Sequence, residues 1–187
     1  MVHRVGRPGD AVVWRPPSTA ALFLPAPTIL EIAPGFGRWT HFLKGQCSRL
    51  IAVDDTPKCV EHCRERFKSN AHVECHVNDG NSLDMVSSSA DLVVTFDSLV
   101  HAEESVIDGY VSELVRVLRP DGFAVIHHSN LGSYPGLENP HDRATSMTAE
   151  KCSRFAERHG LACVGQELID WAGSEKLIDC ISIISEA

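Results

Sequence analysis

The sequence predicts an α/β fold in which helices cover both faces of a parallel sheet. Short apolar runs bounded by Gly, Pro, Asn or Asp alternate along the chain with segments of helical spacing. A glycine-rich turn stands between the first apolar run and the first helical segment. Strands that alternate with helices favour a parallel sheet with right-handed crossovers over a sandwich or a helical bundle.

Seven apolar runs are the candidate strands of this sheet. They cover residues 29–33, 50–53, 73–76, 92–96, 123–127, 162–168 and 178–184. Helical spacing of apolar residues is found at 39–44, 57–68, 105–118 and 148–159. Thr56 followed by Pro57 is typical of a helix start, and Gly160 is typical of a helix end.

Length and composition indicate one domain. The 187 residues are enough to bury a core without disulfide or metal support. Residues 1–27 are rich in proline and show no sustained period, so we expect an N-terminal arm followed by a domain over 28–187. No apolar run approaches the roughly 20 residues that a membrane span requires, so we expect no membrane partner.

Charge and cysteine content restrict partners and location. A net charge of −8, with 17 basic residues, favours no nucleic-acid partner, since phosphate backbones need a clustered basic surface. The seven cysteines are odd in number and lie mostly within predicted strands and helices, which indicates reduced thiols and a cytoplasmic location. Cys59 and Cys63 lack a second ligand pair, so we expect inert thiols there.

The most informative segment is residues 29–40, which read ILEIAPGFGRWT. Here a predicted strand ends in a turn containing Gly35 and Gly37, and glycines allow the backbone to approach a ligand closely. Asp54 ends the next strand, 19 residues after Gly35, where an acidic residue accepts the hydroxyls of a ribose. Strand, turn, helix, strand and acid together predict a site for a nucleoside.

The kind of nucleoside follows from two missing features. A dinucleotide site has a third Gly or Ala where this chain has Thr40, so NAD is disfavoured. The chain also lacks the G-x-x-x-x-G-K-[ST] loop that holds the phosphates of ATP. A nucleoside without phosphates fits the pattern better.

Residues 31–37 (EIAPGFG) resemble the first motif of class I S-adenosylmethionine-dependent methyltransferases. The resemblance extends from about residue 28 to the C-terminal end and includes the segments 51–56, 78–83, 91–101 and 118–123. It implies a Rossmann-like methyltransferase fold, a doubly wound, seven-stranded, mostly parallel sheet with an antiparallel last strand. The pair 162–168 and 178–184 would supply that last strand.

By this resemblance the cofactor is S-adenosylmethionine, held by residues around the ends of the first four strands. They are Glu31, Ala33, Pro34, Gly35, Gly37, Asp54, Asp55, Asp79, Gly80 and Phe96. The turn would take the methionine end, with Glu31 orienting the amino group, Asp54 would hold the ribose and Asp79 the adenine amino group. Gly80 would donate to the ring and Phe96 would lie near the sulfonium. For Asp55, assistance to Asp54 and capping of the next helix both remain open.

Polar residues follow strands four and five, where ligands of open α/β sheets bind. A hydroxyl acceptor must lose a proton, and histidine titrates near neutrality, so the candidate catalytic residues are His101, His128 and Asp97. Alternatively, His101 caps a helix and one histidine of the 127–128 pair packs under the sheet. A divalent ion held by Asp97, His127, His128 and His141 is a further alternative. We expect no metal, because two histidines stand where related metal-dependent enzymes usually have a carboxylate.

Residues 130–147 form a long loop, and loops of this length often carry function. Tyr134, His141 and Arg143 are candidates to line an acceptor pocket, with Arg143 pairing with an acidic group of the acceptor. A solvated connection is the alternative. Trp171 is expected to pack at the edge of the sheet.

The resemblance and the polar loops together predict methyl transfer to a small molecule, with the hydroxyl of a sugar or secondary metabolite as the acceptor. N-methylation is the first alternative, although Phe96-Asp97-Ser98-Leu99 stands where amide-methylating enzymes have an Asn-Pro-Pro-Tyr-like stretch. A non-catalytic S-adenosylmethionine-binding protein is the second alternative. The oligomeric state stays open, with a homodimer as one alternative.

Overall fold

A computed structural model describes residues 18–83, 87–139, 141–170 and 176–187. The strands are β1 (Thr28–Ile32), β2 (Arg49–Asp54), β3 (Val73–Val77), β4 (Ala90–Thr95), β5 (Leu118–Ser129), β6 (Leu161–Ile169) and β7 (Asp179–Glu186). The helices are α1 (Ser18–Ala21), α2 (Thr40–Leu43), α3 (Pro57–Arg66), α4 (Glu104–Val117) and α5 (Ala149–Arg158). Two short 3-10 helices cover Leu99–His101 and Leu131–Ser133.

Within the described ranges the strands form one seven-stranded sheet in the order β3-β2-β1-β4-β5-β7-β6. Strands β1 to β5 are parallel to one another, whereas β7 is antiparallel to both β5 and β6. The predicted fold class is therefore confirmed, and each predicted apolar run lies in or overlaps one strand. Gly160 follows α5 with φ +77, as predicted for a helix end.

Helices cover both faces of the sheet because successive strand residues point to opposite sides. Leu30 and Val93 face a core formed with α4 and α5, where Ile107 and Phe155 are buried. Residues on the other face pack against α2 and α3. They include Ile29 and Leu50 beside Trp39, and Ala52 beside Val60. This arrangement buries both faces of the central strands.

Phe23, Leu24 and Ala26 of the predicted arm pack against the face of the sheet that α2 covers. The ring of Phe23 stands 4.7 Å from that of Phe123, and the backbone N–H of Ala26 donates to the carbonyl of Gln46 (3.0 Å). Residues 1–17 and Trp171 lie outside the described residues, so the domain boundary and the packing of Trp171 stay predictions. No helix in the described ranges has both the length and the apolar character to cross a membrane. All seven cysteines are free thiols.

The strand order places the functional end of the molecule. The order in which successive strands are added to the sheet reverses at β1, because β2 and β3 lie on one side of it and β4 and β5 on the other. Open α/β sheets bind ligands beyond the carboxyl ends of the strands at such a switch point. The glycine turn after β1 and the loop after β4 meet there.

Candidate active site

Two neighbouring cavities lie at the carboxyl ends of β1 and β4, and Ser98 lines both. Cavity A measures about 340 Å³, and its wall includes Ala33, Asp55, Gly80, His101 and Tyr110. Cavity B measures about 300 Å³, and its wall includes Gly35, Arg38, Trp39, Phe96 and Asp97. Predicted residues from four separate segments therefore come together around one shared side chain.

The turn after β1 is held in the left-handed backbone region. Ala33, Gly35 and Gly37 have φ values of +54, +56 and +77. A Cβ on Gly37 would lie 2.6 Å from the ring of Phe67, so packing against α3 requires glycine there. A Cβ on Gly35 would meet no atom within 4 Å, so this position faces open space beside cavity B.

The two neighbouring acids after β2 occupy different environments. Asp54 is buried, and its carboxylate accepts the backbone N–H groups of Gly35 (3.0 Å) and Thr56 (2.9 Å). Asp55 is exposed on the wall of cavity A and accepts the hydroxyl of Thr56 (3.0 Å). Asp54 rather than Asp55 thus bonds the backbone at the start of α3. Since a carboxylate accepts about four hydrogen bonds, Asp54 keeps acceptor capacity for a ligand.

Glu31 is a buried carboxyl below the turn. Its Oε2 accepts a hydrogen bond from the hydroxyl of Thr40 (2.6 Å), which ties the end of β1 to the start of α2. Burial raises the pKa of Glu31 from 4.5 to about 7, while the hydrogen bond from Thr40 acts in the opposite direction. Glu31 therefore supports the glycine turn from beneath through Thr40. Its predicted role of orienting an amino group on the other side of the turn stays a prediction.

This raised pKa predicts a pH-dependent stability. Between pH 4.5 and 7 folded Glu31 keeps a proton that the unfolded chain has lost, so stability falls as the pH rises. Burial lowers the pKa of His128 from 6.5 to about 4, which gives the opposite slope in the overlapping range. We therefore expect the Tm of Glu31→Gln minus that of the wild type to increase from pH 4.5 to 7, because only the wild type loses the contribution of the protonated carboxyl.

Thermal melts without ligand across this pH range would check the prediction. Glu61→Gln is the matched control, since Glu61 is exposed on α3 and its replacement should leave the Tm difference flat. A flat difference for Glu31→Gln would contradict the raised pKa of the buried carboxyl.

The loop after β3 is ordered by Asp79. Its Oδ1 accepts the backbone N–H groups of Ser82 (2.7 Å) and Asn81 (3.0 Å) and the hydroxyl of Ser82 (2.8 Å). These bonds, first of all the one from the Ser82 backbone, lower the pKa of Asp79. Gly80 has φ +79, and a Cβ there would lie 3.3 Å from Oδ2 of Asp55. The loop therefore brings a glycine backbone against the acidic wall of cavity A.

Phe96 and Asp97 form the wall of cavity B at the end of β4. The Phe96 ring lies between that of Trp39 (centroids 4.8 Å apart) and the imidazole of His127 (4.5 Å). Asp97 has φ +58, and its carboxylate pairs with Arg38 at 3.1 Å. Arg38 and Trp39 were not among the predicted site residues, although their place directly after Gly37 was a signal that could have found them.

His101 is exposed and lines cavity A at the end of the 3-10 helix after β4. Its Nδ1 lies 2.8 Å from the backbone carbonyl of Asp142, which can only accept, so Nδ1 carries the hydrogen. In the neutral ring Nε2 then has the free lone pair. This side chain has the tautomer and the access that a general base requires, and its bond goes to the long loop rather than to a helix end.

The structure does not bring His128 to either cavity. It is fully buried between strands, and its two ring nitrogens contact the carbonyl of Ser129 and the hydroxyl of Ser182, each at 2.8 Å. Burial keeps the ring neutral by lowering its pKa to about 4. The expectation of a catalytic His128 is therefore corrected to an internal role, because pairing of β5 with β7 encloses the position.

The long loop also differs from expectation. Arg143 is buried and forms two 3.0 Å bonds with the carboxylate of Asp179, so its charge is paired inside the protein rather than offered to an acceptor. Tyr134 and His141 line neither cavity. Across the described residues no group of three or more His, Cys, Asp or Glu side chains is arranged to hold a metal ion.

Comparison with known proteins adds a family to this geometry. A family model described as a methyltransferase domain matches residues 29–122. Nodulation protein S of Sinorhizobium fredii is 29% identical over 102 residues, which are 54% of this chain and 47% of that protein. Ribosomal RNA small subunit methyltransferase A of Geobacter metallireducens is 32% identical over 83 residues, 44% of this chain and 27% of that protein. The chain thus spans about half or less of the curated relatives it matches.

A solved structure shows the same fold. It is the N-methyltransferase NodS from Bradyrhizobium japonicum in complex with S-adenosylhomocysteine, with a TM-score of 0.64 and 20% identity. The match covers 85% of this chain and 77% of the other.

Proposed function

Since this chain belongs to the class I S-adenosylmethionine-dependent methyltransferase family, we propose that it transfers a methyl group from S-adenosylmethionine to a small-molecule acceptor. The observation that carries the proposal is the wall of cavity A. There the left-handed turn at Ala33, the acid Asp55, the glycine Gly80 and the accessible His101 face one space. A place for the nucleoside end of the cofactor and a side chain that can accept a proton thereby lie at the same cavity.

The residues present fit this cofactor. Asp55 on the wall of cavity A supplies oxygen acceptors that suit ribose hydroxyls, and Asp54 and Asp79, which line neither cavity, stand next to the wall residues Asp55 and Gly80. Within the described residues the buried Nε1 of Trp39, a residue of cavity B, has no hydrogen-bond partner. A carboxylate such as that of the methionine end would supply one. When bound, the cofactor provides a methyl group made electrophilic by a sulfonium.

Each predicted cofactor residue then has a defined task. Gly35 and Gly37, together with Pro34, bring the backbone to the methionine end, and Glu31 braces that turn through Thr40. Asp54 accepts a ribose hydroxyl while holding the Gly35 N–H in place. Residues further along the chain complete the set, with Asp55 assisting at the ribose, Asp79 and Gly80 at the adenine, and Phe96 beside the sulfonium.

His101 acts as the general base in this proposal. Its Nδ1–H bond to the Asp142 carbonyl leaves Nε2 to take the proton of the acceptor as the methyl group transfers. Ser98 and the backbone around Ala33 help to align the reacting atoms between the two cavities. Asp97 contributes a carboxylate whose position is fixed by Arg38.

The proposed acceptor atom is a hydroxyl oxygen, because an accessible histidine base suits an acceptor that must lose a proton. An amine nitrogen is the second candidate, and the similarity to nodulation protein S and to a solved N-methyltransferase favours it. We propose a small molecule rather than RNA because the net charge is −8. The free thiols support a cytoplasmic location.

A matched acceptor panel tests this function. The protein is incubated with S-adenosylmethionine and with pairs of alcohols and amines on the same sugar or aromatic scaffold, and products are identified by a mass gain of one CH₂. Methylated alcohols support the first candidate, and methylated amines alone support the second. Reactions without acceptor correct for slow hydrolysis. Failure of the protein to bind S-adenosylhomocysteine in calorimetry would refute the proposal as a whole.

A further inference from the structure

A buried polar network lies behind the wall of cavity B. His127 on β5 and Asp179 at the start of β7 are fully buried, and Arg143 from the long loop is 5% exposed. Nε2 of His127 lies 3.3 Å from Oδ2 of Asp179, and Arg143 binds both carboxylate oxygens at 3.0 Å. Three polar side chains are thus enclosed where apolar residues would pack more easily.

The charges of this network are balanced. Burial alone would raise the pKa of Asp179, but the hydrogen bonds of His127 and Arg143 lower it overall, so the carboxylate stays ionised. The guanidinium of Arg143 compensates that charge through two parallel bonds. Nε2 of His127 completes the network beside Oδ2 of the same carboxylate. Removing one partner of such a buried pair leaves the other uncompensated, which is strongly destabilising.

The hydrogen positions of His127 follow from its neighbours. Its Nδ1 accepts the backbone N–H of Asp97 at 3.0 Å, so the ring hydrogen must be on Nε2, facing the carboxylate of Asp179. The carboxylate therefore selects the tautomer whose Nδ1 can hold the backbone of Asp97. This selection gives a chain of contacts from the long loop to the wall of cavity B.

Asp97 is the point where this chain of contacts reaches the site. A left-handed φ of +58 is uncommon for a residue with a side chain and persists only where the surroundings enforce it. Its N–H is held by His127 and its carboxylate by Arg38, while the preceding Phe96 ring stacks on the His127 imidazole. The positions of both Phe96 and Asp97, which line cavity B, thus depend on the buried ring of His127.

We propose that His127, oriented by Asp179, is a positioning residue that fixes Asp97 and Phe96 against the reactive end of the bound cofactor. It touches neither cavity and acts only through the backbone and ring that it holds. The occupant of the cavity rests on the proposed function, whereas the backbone arrangement does not. Arg143 extends the same network to the long loop, so the loops on the acceptor side share one anchor.

Two substitutions separate positioning from packing. His127→Phe keeps the ring volume and the stack on Phe96 but removes the acceptor for the Asp97 N–H. His127→Asn loses ring volume but retains an oxygen near the position of Nδ1. We expect His127→Phe to weaken S-adenosylhomocysteine binding about tenfold, the equivalent of one lost hydrogen bond, and His127→Asn to weaken it less. If His127 acted only by packing, His127→Asn would weaken binding more than His127→Phe.

Calorimetry with S-adenosylhomocysteine, thermal melts and hydrogen exchange of the Asp97 amide are the measurements. The Asp97 amide should exchange faster in His127→Phe than in His127→Asn. Ile126→Val is the matched control, because Ile126 is buried beside His127 on β5 but belongs to the core on the other face. It should cost stability while leaving both the ligand affinity and the Asp97 exchange rate unchanged.

The outcomes are distinct. A wild type that fails to bind S-adenosylhomocysteine contradicts the proposed function, whereas the exchange rates still decide the positioning role. Equal affinities and exchange rates in the two variants, or better retention by His127→Phe, would overturn the positioning role. If His127→Phe does not fold, nitrogen NMR of the wild-type imidazole decides, since hydrogen on Nδ1 instead of Nε2 at neutral pH would also overturn it.

Discussion

A Gly35→Val variant should fold and lose S-adenosylhomocysteine affinity on the order of a hundredfold, the equivalent of about 3 kcal/mol of steric conflict. Gly35 lines cavity B, and an added Cβ meets no protein atom within 4 Å, so the fold has space for the larger side chain. The same space is where the methionine end of the cofactor must approach the backbone. The valine therefore competes with the ligand rather than with the core.

The left-handed φ of Gly35 adds a strain that the control must reproduce. Gly160→Val does so, because Gly160 has φ +77, an added Cβ there also meets nothing within 4 Å, and it lies after α5 away from both cavities. Both variants should lose stability of about 1–3 kcal/mol, and only Gly35→Val should lose affinity. Calorimetry and thermal melts give the two quantities. Equal affinities for the two variants would contradict the placement of the cofactor at this turn.

A His101→Gln variant should lower turnover by roughly 10²–10⁴ while keeping cofactor affinity and Tm close to those of the wild type. The glutamine amide offers no nitrogen lone pair for the proton of the acceptor, and the bond from Nδ1 to the Asp142 carbonyl that it loses is exposed to solvent and contributes little to stability. Because His101 is exposed at the end of a short helix, its replacement opens no cavity in the core. Single-turnover rates with the best acceptor of the panel measure the effect.

His76→Gln is the corresponding control, since His76 is exposed on the edge strand β3 and lines neither cavity. It should turn over at the wild-type rate. A His101→Gln protein that loses stability but retains its rate per folded molecule would show a structural role. Another residue would then have to remove the proton.

The order of strands and helices could be predicted because each element carries its own local signals. The apolar run 123–127 was recognised in this way, but β5 begins earlier, at Leu118. Leu118 pairs with Ala90 of β4, and Asp121, with φ +65, absorbs the register shift before Phe123 pairs with Leu92. That pairing joins distant segments, so no local pattern could reveal it.

The positions of the residues proposed to hold the cofactor were more predictable than those of the residues proposed for the acceptor, for the same reason. Gly35 and Asp54 stand at element ends, and the bond between them follows from the strand order. The burial of His128 and the pairing of Arg143 depend on contacts with β7, which begins about 50 and 36 residues later along the chain. Asp179 could have been noticed as an acid at the start of an apolar run, a position where burial requires a cationic partner.

Ala33 gives the turn proposed to bind the cofactor a property of its own. It occupies a left-handed conformation that costs a residue with a Cβ roughly 1–2 kcal/mol, yet its N–H donates to Val53 (2.8 Å) and its carbonyl accepts the hydroxyl of Ser98 (2.7 Å). The strain is therefore met during folding and not when a ligand arrives. A turn preorganised in this way loses little conformational entropy on binding, so the free energy of cofactor contacts is retained as affinity.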